Sequence, residues 1–527
     1  MTPENRFNLI DEPWIPVADV GQVSLKQVFS DSTCRALGGN PVQKIALTKL
    51  LLAIAQAACT PQDDQEWVAL GATGMAEKCL TYLDKWHDRF WLYGEKPFLQ
   101  MPKITELIKQ RTKELKEKAG VKNNKLLKAE ASGLPKPFGA GFYPDLPAEN
   151  NTFLTQNQFD RVLSDAEKTL FIVSLMNFAF GGKRIEKNLP PLSSGYSGKT
   201  VSAKPGPSLG NYVGYLHSYL IGGNLLESIW INLLSNEQIK AKKYWKSGLG
   251  IPPWENMPSG ESCEMANKLK NSYLGCLVAL SRFVTLNDTG IFYVEGIQYP
   301  SHKDGWREPS MAIDDQGDGV KALWVDPNKR PWRELTALLS FIESNSQRNF
   351  NCLHIAEGLK RLIQAQLTSP SIIGVWSGGI RVSRNSGDQS IKRDNDFVES
   401  FVLLDSTWLG EWWYVRLKKE MAGLDDVAKK IYATTLSFFK EQKMEGKDQA
   451  ARAGNLFWQL CERHFQSLVN ACGEDTQADL RKTFARFAQK SYDTFCPKDT
   501  ARQLEAWAKN RPDLSQYLAG KFEPNHK

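Results

Sequence analysis

The chain has 527 residues, of which 42% are hydrophobic and 24% charged, and its formal net charge is +7 at pH 7. A chain of this kind can bury a large core, and its length predicts about two or three structural units. The mild positive charge is compatible with a nucleic acid or an acidic partner and requires neither. Because no long apolar stretch occurs and residues 1–8 lack a signal-peptide pattern, we expect a cytoplasmic protein without a membrane span.

Cysteine and histidine usage argues against a metal site or a disulfide framework. The nine cysteines are scattered, and no CxxC pair occurs. The six histidines are dispersed, without an HExxH grouping. His354 and Glu357 lie three residues apart on a predicted helix, which we interpret as surface polarity because no third metal ligand is evident. We therefore expect no metal, no cofactor and no catalytic residue.

The N-terminal part of the chain mixes strand and helix signals. Residues Asn8–Val17 have a strand pattern that two prolines interrupt, which favours an edge strand or a turn. A helix is predicted from Pro41 to Cys59, with Asn40 as its N-cap and a proline in its first turn. A second helical stretch runs from Met75 to Phe90, and the sequence Lys-Pro-Phe-Leu-Gln follows at residues 96–100.

A lysine-rich run and a long predicted loop come next. The run at residues 103–128 contains few acidic residues and is typical of a solvated helix face. Residues 129–151 are rich in glycine and proline, which predicts a loop that carries Phe138 and Phe142. An aromatic ring on such a loop could stack on an RNA base or fill a pocket of a neighbouring subunit. Phe138 could equally pack in the core of this chain.

Residues 193–200, Ser-Ser-Gly-Tyr-Ser-Gly-Lys-Thr, nearly match a phosphate-binding P-loop. The match fails because Ser193 occupies the first glycine position and because prolines flank the segment where a strand and a helix are required. A nucleotide hydrolase is therefore the least favoured function. A backbone with few side chains can instead lie against the DNA minor groove, which is about 6 Å wide. The alternative is an ordinary connection between core elements.

A second polar segment follows an apolar run late in the chain. Residues 372–376 predict a buried strand, which Gly378 and Gly379 then break, so residues 384–390 should form a turn on a rigid base. Small and amide side chains would let this turn approach a surface closely. Basic side chains on its flanks could hold phosphates, although nearby aspartates cancel most of their charge: they are Arg381, Arg384, Lys392 and Arg393. An ordinary surface hairpin is the alternative.

After Phe397 the composition changes to long amphipathic segments with few strand signals, which predicts a helical bundle. We expect an α+β protein with a large mixed α/β domain at residues 1–397, which carries the two candidate loops at residues 193–200 and 384–390. The C-terminal helical bundle then occupies residues 398–527.

Three segments together resemble the large subunit of the type I-E CRISPR Cascade surveillance complex, the CasA family. They are Asn-Leu-Ile-Asp and Trp-Ile-Pro-Val within residues 8–17, Lys-Pro-Phe-Leu-Gln at 96–100, and Gly-Gly-Ile-Arg at 378–381. The segments keep the family's order and approximate spacing across most of the chain. The resemblance implies a non-catalytic, RNA-guided DNA-binding subunit that reads the protospacer-adjacent motif, starts R-loop formation by opening the duplex, and recruits a helicase-nuclease.

The resemblance also implies residue roles and partners. The minor-groove loop would comprise Ser194, Gly195, Tyr196, Ser197 and Gly198. The DNA wedge would be Gln389, with Ser390 beside it and Asn385 as its main competitor. A minor-groove lysine is expected in the central region, with Lys303 as candidate and Lys199 and Lys204 as competitors.

The implied partners are the other Cascade subunits, CRISPR RNA, double-stranded target DNA and the helicase-nuclease, with no membrane. The family's loop near Phe138 and Phe142 touches the guide-RNA end of the complex. A scaffold subunit without a DNA role is the alternative.

Overall fold

The computed structural model describes residues 4–119, 123–131, 133–138, 162–180, 192–193, 213–315, 319–343, 350–365, 372–382 and 397–521. Helices and several small sheets make up these residues, which confirms the predicted α+β class. The chain divides into two compact units. The first unit comprises Met1–Pro327, Asn351–Gln366 and Trp376–Glu399, and the second comprises Asn328–Phe350, Leu367–Val375 and Ser400–Lys527.

The elements follow one another in mixed order. The chain begins with β1 (Arg6–Asn8), β2 (Ile15–Val17), β3 (Gly21–Val23), α1 (Leu25–Ser30), α2 (Pro41–Cys59), α3 (Asp64–Lys85), β4 (Trp91–Tyr93), α4 (Lys103–Ala119), α5 (Asn123–Ala131), β5 (Lys136–Pro137) and α6 (Asp165–Phe178). The middle contains β6 (His217–Ile221), α7 (Leu225–Ile231), α8 (Asn236–Ala241), α9 (Glu264–Lys270), α10 (Tyr273–Leu277), β7 (Arg282–Leu286), β8 (Gly290–Glu295), β9 (Ala312–Asp314), β10 (Lys321–Ala322), α11 (Leu335–Leu338), β11 (Asn351–Cys352), α12 (Leu353–Gln364), β12 (Ile372–Ile380) and β13 (Phe397–Asp405). The last elements are α13 (Glu411–Glu441), α14 (Lys447–Glu462), α15 (Phe465–Glu474), α16 (Gln477–Phe495), α17 (Ala501–Lys509) and α18 (Ser515–Leu518).

The strands pair into small sheets. Their orders are β1-β4, β2-β3, β5-β8-β7, β10-β9-β11 and β13-β12-β6. The β7–β8 ladder is antiparallel and pairs Phe283 with Val294. β12 and β13 each begin in one compact unit and end in the other.

Helix α2 has the predicted bounds and lies in the core of the first unit. Asn40 accepts the Gln43 N–H at 3.0 Å, and the Gln43 side chain accepts the Asn40 N–H at 3.1 Å, which forms a capping box. By length and composition this helix could cross a membrane, but 72% of its most apolar window is buried in the protein. Within the residues that the structure describes, it is the only such helix. Core packing accounts for its apolar character.

Helix α3 begins earlier than the sequence pattern predicts. Asp63 caps its first turn by accepting the Glu66 N–H at 2.8 Å, and the helix continues to Lys85. Gly71 interrupts it with φ 58° and ψ 176°, a conformation that glycine adopts at low cost. Gly71 separates residues 64–70 from the longer part of the helix, in which the predicted periodic stretch begins at Met75.

A buried ion cluster of Lys49, Glu308 and His217 lies beneath α2. The Lys49 ammonium is 3.4 Å from one Glu308 oxygen, and His217 Nδ1 is 3.5 Å from the other. The Ser310 hydroxyl donates to the same carboxylate at 2.5 Å. Burial alone would raise the pKa of Glu308, but Lys49 and the groups beside it outweigh this effect and hold the pKa well below its usual range.

His354 is fully buried, so the interpretation of this residue as surface polarity is wrong. The first residues of α12 pack into the core, and the Tyr273 hydroxyl is hydrogen-bonded to His354 Nε2 at 3.1 Å. Burial lowers the pKa of His354 to about 4 from an ordinary value of 6.5. Glu357, one turn further on, pairs with Lys242 at 3.3 Å.

We expect this imidazole to make the protein acid-sensitive. Because the folded state keeps His354 neutral, its contribution to stability is complete above pH 6.5 and is lost as the pH falls to about 4. The loss is up to about 3 kcal/mol, at about 1.4 kcal/mol per pKa unit. Urea unfolding across this pH range measures it, and His354→Gln should flatten the profile. His87→Gln, at a partly exposed site, is the control, and equal profiles for both variants would contradict the prediction.

The second unit is built on helices α13 to α16, as the predicted bundle requires. It also contains the segment from Asn328 to Phe350, which the sequence analysis placed in the first domain. The Trp332 ring packs against Phe465 and Trp458, with ring centroids 4.5 and 5.8 Å apart. Aromatic contacts across more than a hundred residues therefore recruit this segment to the bundle.

Candidate nucleic-acid interface

Most of the predicted DNA-contacting residues lie outside the described part of the chain. They are Ser194, Gly195, Tyr196, Ser197, Gly198, Arg384, Asn385, Gln389, Ser390, Lys392 and Arg393, together with Lys199 and Lys204. Phe142, an expected RNA or subunit contact, also lies outside the described residues. The described residues on either side of these segments show how the chain enters and leaves them. Their contacts define what the site is built on.

The base of the predicted wedge is strand β12, which continues through Gly378 and Gly379 to Ile380. The prediction that these glycines break the strand is wrong. A Cβ on Gly379 would lie 2.8 Å from the Tyr215 carbonyl oxygen and 2.7 Å from Val325 Cγ2. The glycine is therefore required for close packing of β12 against neighbouring chain segments, and not for a turn.

The described residues that follow the glycine-rich segment, 213–216, contact the base of the wedge. The Val325 N–H donates to the Gly214 carbonyl at 2.9 Å, and the Tyr215 ring packs on Trp324 at 4.2 Å. A Cβ on Gly214 would lie 3.1 Å from Val382 Cγ2. Val382 is the last described residue before the predicted wedge segment. The first described residues beyond one predicted DNA segment thus lie beside the last described residue before the other.

Lys303 directly follows His302, a residue that contacts the described segment 213–216. The Tyr215 hydroxyl and His302 Nδ1 are hydrogen-bonded, and His302 is buried. Burial first, and then the positive charges of Lys303 and Arg307, lower the pKa of His302. Lys303 itself is exposed on a 3₁₀ turn from His302 to Asp304. Lys303 is therefore joined to residues 213–216 through its neighbour His302, which is hydrogen-bonded to Tyr215.

Arg381 is partly exposed and directly follows the last residue of β12. With Lys303 it supplies positive charge at this end of the first unit. Such charges contact phosphates without reading sequence.

Glu261 holds the start of the glycine-rich segment. Its two carboxylate oxygens accept the Leu192 N–H at 3.0 Å and the Ser193 N–H at 2.8 Å. The Ser262 N–H donates to the Ser193 hydroxyl at 3.1 Å, and a Cβ on Gly260 would lie 2.8 Å from the Ser193 nitrogen. Hydrogen bonds to a charged group contribute about 1.5–3 kcal/mol each. We call Glu261 with Leu192 and Ser193 the carboxylate clamp.

Glu261 could not be recognised from the sequence, because no local pattern marks it. Its two partners lie 69 and 68 residues earlier in the chain. A glutamate between Gly260 and Ser262 has the composition of an ordinary loop. The role of Tyr215 in joining the wedge base to the Lys303 turn was missed for the same reason, because its partner His302 is 87 residues away.

Phe138 packs in the core of the first unit, as the alternative interpretation proposed. It is 1% exposed and meets the Phe171 ring edge-on at 5.8 Å. The preceding strand β5 pairs with β8 through Lys136 and Ile291. The buried ring offers no open face for an RNA base, so the expected RNA or subunit contact of this residue is corrected to core packing.

Several lysines of α4 and α5 are exposed, as expected for the lysine-rich run. Lys116 pairs with Glu130 at 3.1 Å across the two helices.

Among the described residues, no group of three or more His, Cys, Asp or Glu side chains could hold a metal ion. The arrangement as described is one of strand ends and basic side chains, which suits contact with a polyanion.

Comparison with known proteins gives consistent results. The sequence profile of the family described as CRISPR-associated protein Cse1 matches residues 8–494. A curated relative, the CRISPR-associated protein CasA/Cse1 of Thermus thermophilus, is 34% identical over 112 residues. That alignment spans 19% of this chain and 22% of the relative.

Solved structures share the fold over nearly the whole chain. The structure of Thermus thermophilus CasA (Cse1) matches with a TM-score of 0.70 at 18% identity and covers 98% of this chain and 100% of that one. A chain of a CRISPR RNA-guided surveillance complex matches with a TM-score of 0.66 at 14% identity, covering 96% of this chain and 99% of that one.

Proposed function

The chain belongs to the CRISPR-associated protein Cse1 family, and from this premise we propose that it recognises the motif that flanks a DNA target and starts strand opening there. The membership confirms the resemblance to the large subunit of the type I-E Cascade complex. We propose that the partners are the other Cascade subunits, CRISPR RNA, double-stranded target DNA and a helicase-nuclease that the subunit recruits.

One observation carries the proposal beyond family membership. Gly214 is among the first described residues after the glycine-rich segment, and a Cβ on it would lie 3.1 Å from Cγ2 of Val382, the last described residue before the predicted wedge segment. A minor-groove loop and a wedge must act on adjacent base pairs, so their attachment to one rigid base favours this function. The exposed Lys303 and the partly exposed Arg381 supply positive charge at the same base.

The proposed mechanism needs no nucleotide hydrolysis. The minor groove presents nearly the same acceptors for A·T and T·A pairs, so a loop that reads it should tolerate several related motifs. Insertion of the Gln389 amide would substitute for lost stacking, which costs a few kcal/mol per step. Groove contacts must therefore supply about 3 kcal/mol before pairing with the guide RNA takes over.

Strand opening with and without this subunit tests the proposal. A guide-loaded complex is assembled in both forms and given linear targets with a library of flanking trinucleotides, and permanganate reactivity reports unpaired thymines. We expect opening only with the subunit present, and only on a subset of flanks. Opening that is independent of the flank, or that occurs without the subunit, would favour a scaffold role instead. Phosphate release from ATP in the same mixtures would favour a hydrolase.

A further inference from the structure

The carboxylate clamp lies where the chain enters the glycine-rich segment. Ser193 directly precedes Ser194, so a constraint on the Ser193 backbone fixes where that segment starts. Two hydrogen bonds from one carboxylate to adjacent N–H groups constrain both the position and the direction of the chain. Beyond residue 212, where the described chain resumes, the Val325 N–H donates to the Gly214 carbonyl.

We propose that Glu261 is a positioning residue, which sets the glycine-rich segment for its contact with DNA through two backbone N–H groups. The inference rests on the proposed function. Glu261 touches neither DNA nor guide RNA in this scheme. It acts through Leu192 and Ser193 alone.

A positioning role and a purely electrostatic role of Glu261 predict opposite effects when its charge is removed. A carboxylate close to DNA repels phosphates, so an electrostatic role for Glu261 would predict stronger DNA binding when the charge is removed. A positioning role instead predicts that removing the Glu261 charge lowers strand opening. In Glu261→Gln the side-chain amide turns one acceptor into a donor that faces a backbone N–H, and one hydrogen bond of the clamp is lost.

Close packing around the carboxylate clamp restricts the positions that its residues can take. Glu261 is 6% exposed, and Gly260 leaves no room for a side chain beside the Ser193 nitrogen. The side chain of Ser193 adds a third bond by accepting the Ser262 N–H at 3.1 Å. Residues 192–193 are therefore held by three hydrogen bonds, and loss of one of them loosens the chain there.

The test compares Glu261→Gln with Glu264→Gln. Glu264 lies three residues away on an exposed surface, where it pairs with Lys268 at 2.7 Å, so its replacement changes the net charge equally without touching the clamp. We expect Glu261→Gln to lower opening on favourable flanks about tenfold, as loss of one charge-assisted hydrogen bond implies. Opening on unfavourable flanks should change little, so the preference for flanks becomes weaker.

Hydrogen exchange of the free subunit gives a readout that does not depend on DNA. In Glu261→Gln the amides of residues 192 and 193 should exchange faster, while those of β7 and β8 stay protected. Unchanged exchange, or opening equal to that of Glu264→Gln, overturns the positioning role. If the wild-type complex shows no flank-dependent opening, the proposed function has failed, and the exchange result still decides whether the clamp exists.

A variant that unfolds would be recognised by its thermal melting, and Ser193→Ala then takes its place. This change removes the bond from the Ser262 N–H and leaves both carboxylate bonds intact. We expect a smaller loss of opening, about threefold, in the same flank-selective pattern. A uniform loss across all flanks would contradict the positioning role.

Discussion

Replacing Lys49 with methionine is expected to lower the free energy of unfolding by about 3–5 kcal/mol, because it leaves the buried Glu308 carboxylate without its nearest cation. Lys49 and Glu308 are each 4% exposed, so water cannot substitute for the missing charge. Methionine keeps most of the apolar stem of lysine, which limits the change to the charge. Urea unfolding at neutral pH measures the effect.

The pH dependence of this variant has a defined sign. In the wild type the depressed pKa of Glu308 contributes stability above the ordinary glutamate pKa of about 4.3, and the contribution is lost as the pH falls toward the folded-state pKa. Without Lys49 that contribution is absent. The difference between the two proteins should therefore be largest above about pH 5 and should narrow in acid.

The double variant Lys49→Met with Glu308→Gln is the control for the buried charge. Removing both partners avoids an unpaired ion, so the double variant should be more stable than Lys49→Met alone. Equal instability of the single and double variants would mean that packing around Lys49, and not its charge, determines the loss.

Replacing Gln389 with alanine is expected to lower opening of a linear target by about 10- to 100-fold, with association of the subunit unchanged. The reason follows from the proposed wedge: loss of an inserted amide forfeits about 1.4–2.8 kcal/mol of the few kcal/mol that unstacking requires. Permanganate reactivity measures opening, and a pull-down of the assembled complex measures association. Negative supercoiling should reduce the deficit, because it favours strand separation by itself.

Asn385→Ala is the matched control for the wedge. Asn385 carries the same amide group in the same segment and is the main competitor for the role. A deficit in Asn385→Ala alone would move the wedge to that residue. Equal losses of opening and of association in Gln389→Ala would contradict a wedge and indicate a role in assembly.

Local signals were sufficient for elements that are fixed by neighbouring residues. Asn40 and Pro41 defined the start of α2, and the structure has the helix at the predicted bounds. Glycines gave the least reliable predictions of where elements end, because glycine occurs both in turns and where backbones pack closely. Gly379 lies within β12, and Gly423 is buried inside α13, a helix of 31 residues that continues through it.

The candidate DNA contacts at residues 194–198 and 385–390 stay predictions that rest on glycine and amide patterns and on the family resemblance, because they lie outside the described part of the chain. The contacts that hold its described parts join residues far apart in sequence, such as Glu261 with Ser193 and Tyr215 with His302. Such pairs obey no periodicity, since their spacing depends on how the intervening elements pack. The burial of His354 was also missed, because a polar residue on a helix shows no sequence sign of complete burial.

The division of the chain between its two units limits how the protein can be cut and in what order it can be made. The segment from Asn328 to Phe350 belongs to the second unit, although residues of the first unit are synthesised after it. A nascent chain must therefore carry Trp332 without its partners Trp458 and Phe465 until most of the bundle has left the ribosome. In a fragment that ends at residue 397, Trp332 would lose both aromatic partners and its ring would be exposed to water. A bundle expressed from residue 398 would lack Trp332. Successful dissection would need the two pieces to be co-expressed, with the segment grafted onto the bundle.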